Sequence, residues 1–401
     1  MKTRTTLATL ICLFLLWGCS EEIPKSELIK PIIKNIQENY APDKRVALFN
    51  VDIVVNGENI IFVGETDNPE AKKALLDKAR GSGFFVQDDI ELLPNQSVKD
   101  EECGVVSVSV ANLRSDPKHS AELATQATLG TPLKVLKKNG SWYLVQTPDK
   151  YISWVDQGGI ATMSRAKYKQ WLGLRKVVYT RPLGFVYESN DKTSPTVSDL
   201  VGGDILTYLE DDGKFFKVLF PDKRIGYVSM EEAQSLNTWL ENIAISEESL
   251  VATSKLFMGV PYLWGGTSFK GVDCSGFTKS IYFMNGMVIP RDASQQVFEG
   301  KEIETTHDFN DLRPGDLLFF GRQATESTKE KVVHVGMWIG NDEFIHSSGQ
   351  VRVSSMNPKA SNYDAYEKGR FLRAKRILSH QNENLLSLKS TNIFQQTSAK
   401  K

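Results

Sequence analysis

An internal repeat constrains this chain more than any other feature of its sequence. Gly140-Ser-Trp-Tyr-Leu-Val-Gln-Thr-Pro-Asp-Lys-Tyr-Ile-Ser-Trp-Val155 returns as Gly213-Lys-Phe-Phe-Lys-Val-Leu-Phe-Pro-Asp-Lys-Arg-Ile-Gly-Tyr-Val228. Gly130 and Leu133 fall on Gly203 and Leu206 at the same offset of 73 residues. A recurring block of that kind marks a repeated folding unit. Its short alternating runs, cut by Gly, Pro-Asp and Asn-Gly turns, predict two small β-barrels, over 103–165 and 176–236. At 401 residues the chain exceeds what one core accommodates, so further units flank the barrels.

Composition removes several classes. With 48 basic against 49 acidic residues there is no electrostatic reason to expect nucleic acid as a partner. A 41% hydrophobic, 24% charged chain is not disordered, collagenous or multiply membrane-spanning overall. Its four cysteines, Cys12, Cys19, Cys103 and Cys274, are too few for a disulfide scaffold.

The first 18 residues read as a leader. Lys2 and Arg4 precede the apolar run Leu7–Trp17, about half the roughly 20 residues a bilayer-spanning helix needs. Leu16-Trp-Gly-Cys19 resembles the bacterial lipobox. That implies removal of Cys12 with residues 1–18, diacylation of Cys19, and a tether over 19–25 holding the protein to a membrane of the bacterial envelope. Ser20 resembles outer-membrane sorting; the leaflet is open. The alternatives are a plain secretory signal or a buried helix.

Residues 26–96 predict a small α+β unit. Helical spacing joins Leu28, Ile32, Ile33 and Ile36; strands Arg45–Val55 and Glu58–Glu65 flank Asn56-Gly57; Asn68-Pro69 caps a helix to about Arg80; a strand follows over Gly83–Leu92. The unit resembles the BON domains of lipoproteins, and nothing in it reads as catalytic. In the first barrel, Val108-Ala-Asn-Leu-Arg-Ser-Asp-Pro and the Gly-x-Trp-Tyr turn resemble the bacterial SH3-like module. That implies either binding of cell-wall peptides or shaping of a neighbouring cleft, with an inert spacer as the alternative. The polar, aperiodic stretch 379–401 predicts a disordered tail.

The chemistry lies in 245–378, entered through a helix over Glu247–Met258. Cys274, in Val272-Asp-Cys-Ser-Gly-Phe277, precedes an amphipathic run marked by Phe277, Ile281 and Met284. It therefore sits in the first turn of a helix, where the dipole would lower its pKa. Of the histidines, His119 lies in a barrel loop, His307 in a polar stretch and His380 in the tail. His334 and His346 lie on adjacent strand candidates, Val332–Ile339 and Glu343–Ser348, joined by Gly340-Asn-Asp342. That loop length puts His346 opposite Gly336 and diagonal to His334, about 7–8 Å away on one face. Nucleophile, base and orienting group then follow the logic of cysteine peptidases.

Six motifs in order carry a closer resemblance: Tyr262-Leu-Trp-Gly-Gly, Asp273-Cys-Ser-Gly-Phe, Pro290-Arg-Asp-Ala-Ser-Gln-Gln, Arg313-Pro-Gly-Asp-Leu-Leu-Phe-Phe, His334-Val-Gly and Phe344-Ile-His-Ser-Ser. This region resembles the NlpC-type papain-like cysteine peptidases. With two SH3-like modules ahead of it, the chain resembles their γ-D-glutamyl-L-diamino acid endopeptidases. The fold implied is multidomain α+β. The resemblance implies Cys274 as nucleophile, His334 as base, His346 as its orienter, and Tyr262 near the oxyanion site with the Cys274 N–H. Asp273 and Ser275 would line a pocket for the substrate amine, closed by Glu122 and Tyr151 of the first barrel. The activity implied is cleavage of the γ-D-Glu–diamino acid bond in peptidoglycan stem peptides with free N-terminal L-Ala, by a monomer without metal or organic cofactor.

Each residue has a plainer alternative. Asp273 could serve only as a helix cap, Ser275 as a first-turn residue, Glu122 as a solvated carboxylate, and Tyr151 and Trp154 as barrel packing. Cys274 could be an inert thiol or, with both histidines, a metal ligand, although Cys-x-x-Cys and His-Glu-x-x-His spacings are absent. Cys103 reads as an unpaired structural thiol. At the level of the whole chain, the rivals are a wall-binding lipoprotein without activity and a peptidase acting on intact crosslinks.

Overall fold

The computed structural model describes residues 24–305, 308–378, 380 and 382–394. The leader with Cys12 and Cys19, and His307, lie outside the described residues.

Each half of the repeat folds into its own seven-stranded sheet, and the two sheets share one topology. The first has strands over 103–106, 110–114, 123–128, 132–139, 142–146, 152–156 and 160–163; the second over 176–179, 183–187, 196–201, 205–211, 215–219, 225–229 and 233–235. Numbered by chain order within each unit, the strands lie side by side as 7-1-4-5-6-2-3 in both. Tyr143, Val145 and Val155 fill the first core, and their repeat partners Phe216, Val218 and Val228 fill the second. The Pro-Asp-Lys turns match as well. Lys150 (φ 67°) and Lys223 (φ 77°) both take the left-handed region, each donating its N–H to the residue three back, Thr147 and Phe220.

Ahead of the barrels, helices Lys25–Tyr40 and Pro69–Gly81 cover one face of a three-stranded sheet over 49–56, 59–66 and 85–92. Its first pair is antiparallel and its second parallel. The Asn68 side chain accepts from Ala71 N–H at 2.9 Å, capping the second helix where Pro69 opens it. The hairpin turns at Gly57-Glu58, one residue later than expected, because Asn56 pairs with Asn59.

Behind the barrels, helix Cys274–Met284 packs on a six-stranded antiparallel sheet ordered 301–303, 371–376, 317–322, 331–340, 343–348, 350–355. Phe277 and Ile281 meet Val335, Met337 and Ile345 in its core.

The expectation of a disordered tail is wrong for 382–394. Leu386-Ser387 pairs with Met287-Val288, and Leu388 and Phe394 bury against Trp239, Leu240 and Val288. Asn382 and Asn384 donate to Glu299 at 2.7 and 3.0 Å. The few apolar side chains of this segment are spaced irregularly, so they show no period. They find their burial in a groove made by distant parts of the chain.

Candidate active site

Asp273 caps the helix Cys274–Met284. Its Oδ1 accepts from Gly276 N–H at 2.7 Å, which fixes Cys274 in the first turn. The thiol is buried, and the neighbouring Val335 and Ser275 backbone N–H groups favour its ionised form. The expected lowering of its pKa does not hold. Burial pushes the Cys274 thiol up to about 12, and the neighbouring Asp273 carboxylate adds to the rise, outweighing those N–H groups.

The histidine hairpin has the expected register. Met337 pairs with Ile345 and Trp338 with Phe344, which sets His346 across from Gly336. Asn341 and Asp342 both take positive φ, 56° and 60°, and a bulge follows Trp338, so the connection is a two-residue turn. Gly336 has to be glycine here: a Cβ would lie 2.8 Å from Phe344 Cδ2 and 3.1 Å from His346 Cβ. The two imidazoles meet directly, His334 Nε2 lying 2.8 Å from His346 Nδ1. Beyond them, His346 Nε2 lies 3.0 Å from Ser354 Oγ.

Burial pushes His334 well below 6.5, helped by His346, Arg370 and Arg352. Burial, then Arg352, lowers His346 to about 4. These shifts all favour the neutral thiol and the neutral imidazoles. The arrangement can remove the thiol proton as the sulfur attacks. His334 Nε2 faces His346, so Nδ1 is the nitrogen left for the thiol.

Tyr262 is half-buried beside this group. Burial raises its phenol to about 12, with Cys274 and Asp273 as the nearest acidic neighbours.

Asp273 and Ser275 are not disposed as a pocket for an amine. Arg291, 1% exposed, donates from Nη2 to Asp273 Oδ2 at 2.6 Å and from Nη1 to Oδ1 at 3.1 Å and Ser275 Oγ at 3.0 Å. Gly265 N–H also donates to Asp273 Oδ2 at 2.9 Å. The carboxylate is spent on a buried cation and two backbone donors, and Ser275 on the same network.

Another carboxylate, that of Asp292, is partly open. Tyr151, from the first barrel, donates its hydroxyl to Asp292 Oδ2 at 3.3 Å, and the Asp292 side chain is 24% exposed. Burial raises the Asp292 pKa against the pull of Arg291 and Arg45. Arg45, from the N-terminal unit, donates to the same oxygen at 2.6 Å and to Ser294 Oγ at 3.0 Å. Glu122, on the rim of the same barrel, accepts from Trp264 Nε1–H of the catalytic unit at 2.7 Å. Sequence reasoning held Asp292 within the Pro-Arg-Asp-Ala-Ser motif but gave it no role, and nothing in the sequence marks Arg45.

Glu367 was also missed. It is buried, with Oε1 3.6 Å from His334 Nε2, and accepts from both Arg370 Nε and Nη2 at 2.8 and 2.6 Å. With the two histidines it forms a cluster of metal-ligand type, but the facing nitrogens bind each other and the carboxylate binds Arg370. Among the described residues Cys103 and Cys274 are both free thiols. His119 stacks edge-on against Trp142 in the first barrel, and His380 Nδ1 lies by the Leu378 carbonyl.

The NlpC/P60 family profile matches residues 259–370, and the bacterial SH3 domain profile matches residues 109–161. The γ-D-glutamyl-L-lysine dipeptidyl-peptidases of Bacillus cereus and Bacillus subtilis are each 30% identical to this chain, over 238 and 230 residues. Those matches span 56% of this chain and 67% and 72% of the two relatives. A crystal structure of an NlpC/P60 family protein from Bacillus cereus shares the fold, with a TM-score of 0.59 at 23% identity over 69% of this chain and 99% of that one.

Proposed function

The chain belongs to the NlpC/P60 family of cysteine peptidases, and from that premise we propose that it cleaves the γ-D-Glu–diamino acid bond of peptidoglycan stem peptides bearing a free N-terminal L-Ala. The observation that carries this is the seam between barrel and catalytic unit, where Tyr151 meets the partly open Asp292 carboxylate. An ammonium group is bound there by charge-assisted hydrogen bonds, with Glu122 on the rim. The names of the two Bacillus relatives support the choice of bond.

In the first step His334 takes the Cys274 proton and sulfur bonds to the γ-D-Glu carbonyl carbon. The oxyanion is received by the Cys274 N–H and the Tyr262 hydroxyl. The imidazolium then protonates the leaving amine as the C–N bond breaks. Water, deprotonated by His334, hydrolyses the thioester and frees L-Ala-γ-D-Glu. No metal or organic cofactor takes part in these steps. We further propose that the protein acts as a monomer in the bacterial envelope, held to a membrane, the outer one in a Gram-negative cell, through lipid on Cys19.

The test is incubation of L-Ala-γ-D-Glu-meso-diaminopimelate with the wild type and with Cys274→Ala. Release of the dipeptide by the wild type alone is expected, and cleavage that survives the substitution overturns the mechanism. Acetylating the substrate amine should raise KM strongly. An unimpaired acetylated peptide, or preference for intact crosslinks, overturns the amine pocket.

A further inference from the structure

We infer that Ser354 and Asp364 are positioning residues that hold the proton of His346 on Nε2 and thereby set the direction of the whole hydrogen-bond chain ending at Cys274. The inference rests on His334 acting as base at Cys274, not on the identity of the substrate. His346 Nε2 lies 3.0 Å from Ser354 Oγ, and Ser354 Oγ lies 3.3 Å from Asp364 Oδ2. Asp364 is itself fixed: Oδ1 caps the helix Ala365–Gly369 by accepting from Glu367 N–H at 3.0 Å, and Oδ2 also accepts from Arg352 at 3.2 Å.

An ionised carboxylate only accepts, so the Ser354 hydroxyl proton lies toward Asp364. The Ser354 oxygen is then the acceptor for His346 Nε2–H, which leaves His346 Nδ1 unprotonated. That nitrogen accepts from His334 Nε2–H across 2.8 Å, and His334 Nδ1 is left bare to receive the thiol proton. Each link has one donor and one acceptor, and all run the same way. When Cys274 attacks, one S–H bond breaks and one N–H bond forms at His334 Nδ1; no proton moves further along the chain.

Without the serine, His346 is free to carry its proton on Nδ1, aimed at His334 Nε2. His334 would then have to accept there and carry its own proton on Nδ1, facing the thiol as a donor, which is the tautomer that cannot act as base. The titratable and charged groups around the pair are Glu367 at 3.6 Å from His334 Nε2, Arg370 bound to that glutamate, Arg352 bound to Asp364, and the Cys274 thiol. Glu367 is the rival orienter, but Arg370 holds its carboxylate at 2.6 and 2.8 Å.

The test uses the full-length protein with ¹⁵N-labelled histidine. At neutral pH, His346 should show a protonated Nε2 and a bare Nδ1, and Ser354→Ala should populate the other tautomer. In the tripeptide assay, Ser354→Ala and Asp364→Asn should lower kcat about 10- to 100-fold with KM unchanged, and Ser354→Thr should restore it. A wild-type His346 protonated on Nδ1 overturns the inference. So does full kcat in both variants alongside collapse in Glu367→Gln. If the tripeptide is not a substrate at all, the tautomer signals and the rate of Cys274 alkylation still decide the matter, because neither depends on it.

Discussion

Asp273 shows how one residue can be read correctly by position and wrongly by task. Its place before an amphipathic run makes it a helix cap in the sequence, and it is one. That the same carboxylate neutralises Arg291 was not legible, because the two are 18 residues apart in chain and joined only by folding. Breaking a buried ion pair from one side leaves a bare charge, so Asp273→Ala should cost about 3–5 kcal/mol of stability, measured by urea denaturation. The pH dependence also belongs to single residues. His334 is held well below 6.5, so the base stays neutral and kcat/KM should remain flat as pH falls through 6.5, dropping only further into acid. For stability the sign runs the other way. Below 6.5 the unfolded chain takes up protons that buried His334 and His346 refuse. Stability should therefore decline as pH falls from 6.5 toward about 4, the value for His346. A pH series of thermal or urea melts checks this.

Among elements, the histidine hairpin was the most legible. Side chains alternate with period two, so loop length alone decided which residues faced each other. Its finer construction, a two-residue turn followed by a bulge, has no separate signature in the residues. The spacing needs Gly336. Gly336→Ala should push Phe344 and His346 away, costing about 1–3 kcal/mol of stability and lowering kcat more than KM, seen by steady-state kinetics beside a melt. The tail was illegible for the converse reason. Its pairing with Met287-Val288 is two residues long and non-local, and no periodic pattern announces such an edge.

At the scale of the molecule, the repeat does more than duplicate a barrel. Gly130 and Gly203 are equivalent, both with positive φ and both donating their N–H across the same loop, to Val106 and Tyr179. Yet a Cβ on Gly130 would strike the second barrel at Ile205 O, 2.2 Å away, and one on Gly203 would strike the catalytic unit at Phe283, 2.8 Å away. One repeated corner thus docks each unit onto the next. The N-terminal unit also touches the catalytic unit, laying Arg45 on Asp292. If Asp292 receives the substrate amine, Arg45→Ala should lower KM for the free-amine tripeptide several-fold and leave that of the acetylated peptide unchanged, in parallel Michaelis curves.

Local pattern was enough for the repeat, the place of Cys274 at the start of its helix and the histidines across one hairpin, because period and loop length act over a few residues. It was not enough for whatever depends on units meeting. The carboxylate left partly exposed is Asp292 rather than Asp273, burial raises the Cys274 thiol where the helix start alone would lower it, and Arg45 of the N-terminal unit reaches Asp292. Each follows from burial and charge pairing between segments distant in sequence. Desolvation and ion pairing are properties of the packed interior, and no window of sequence contains them.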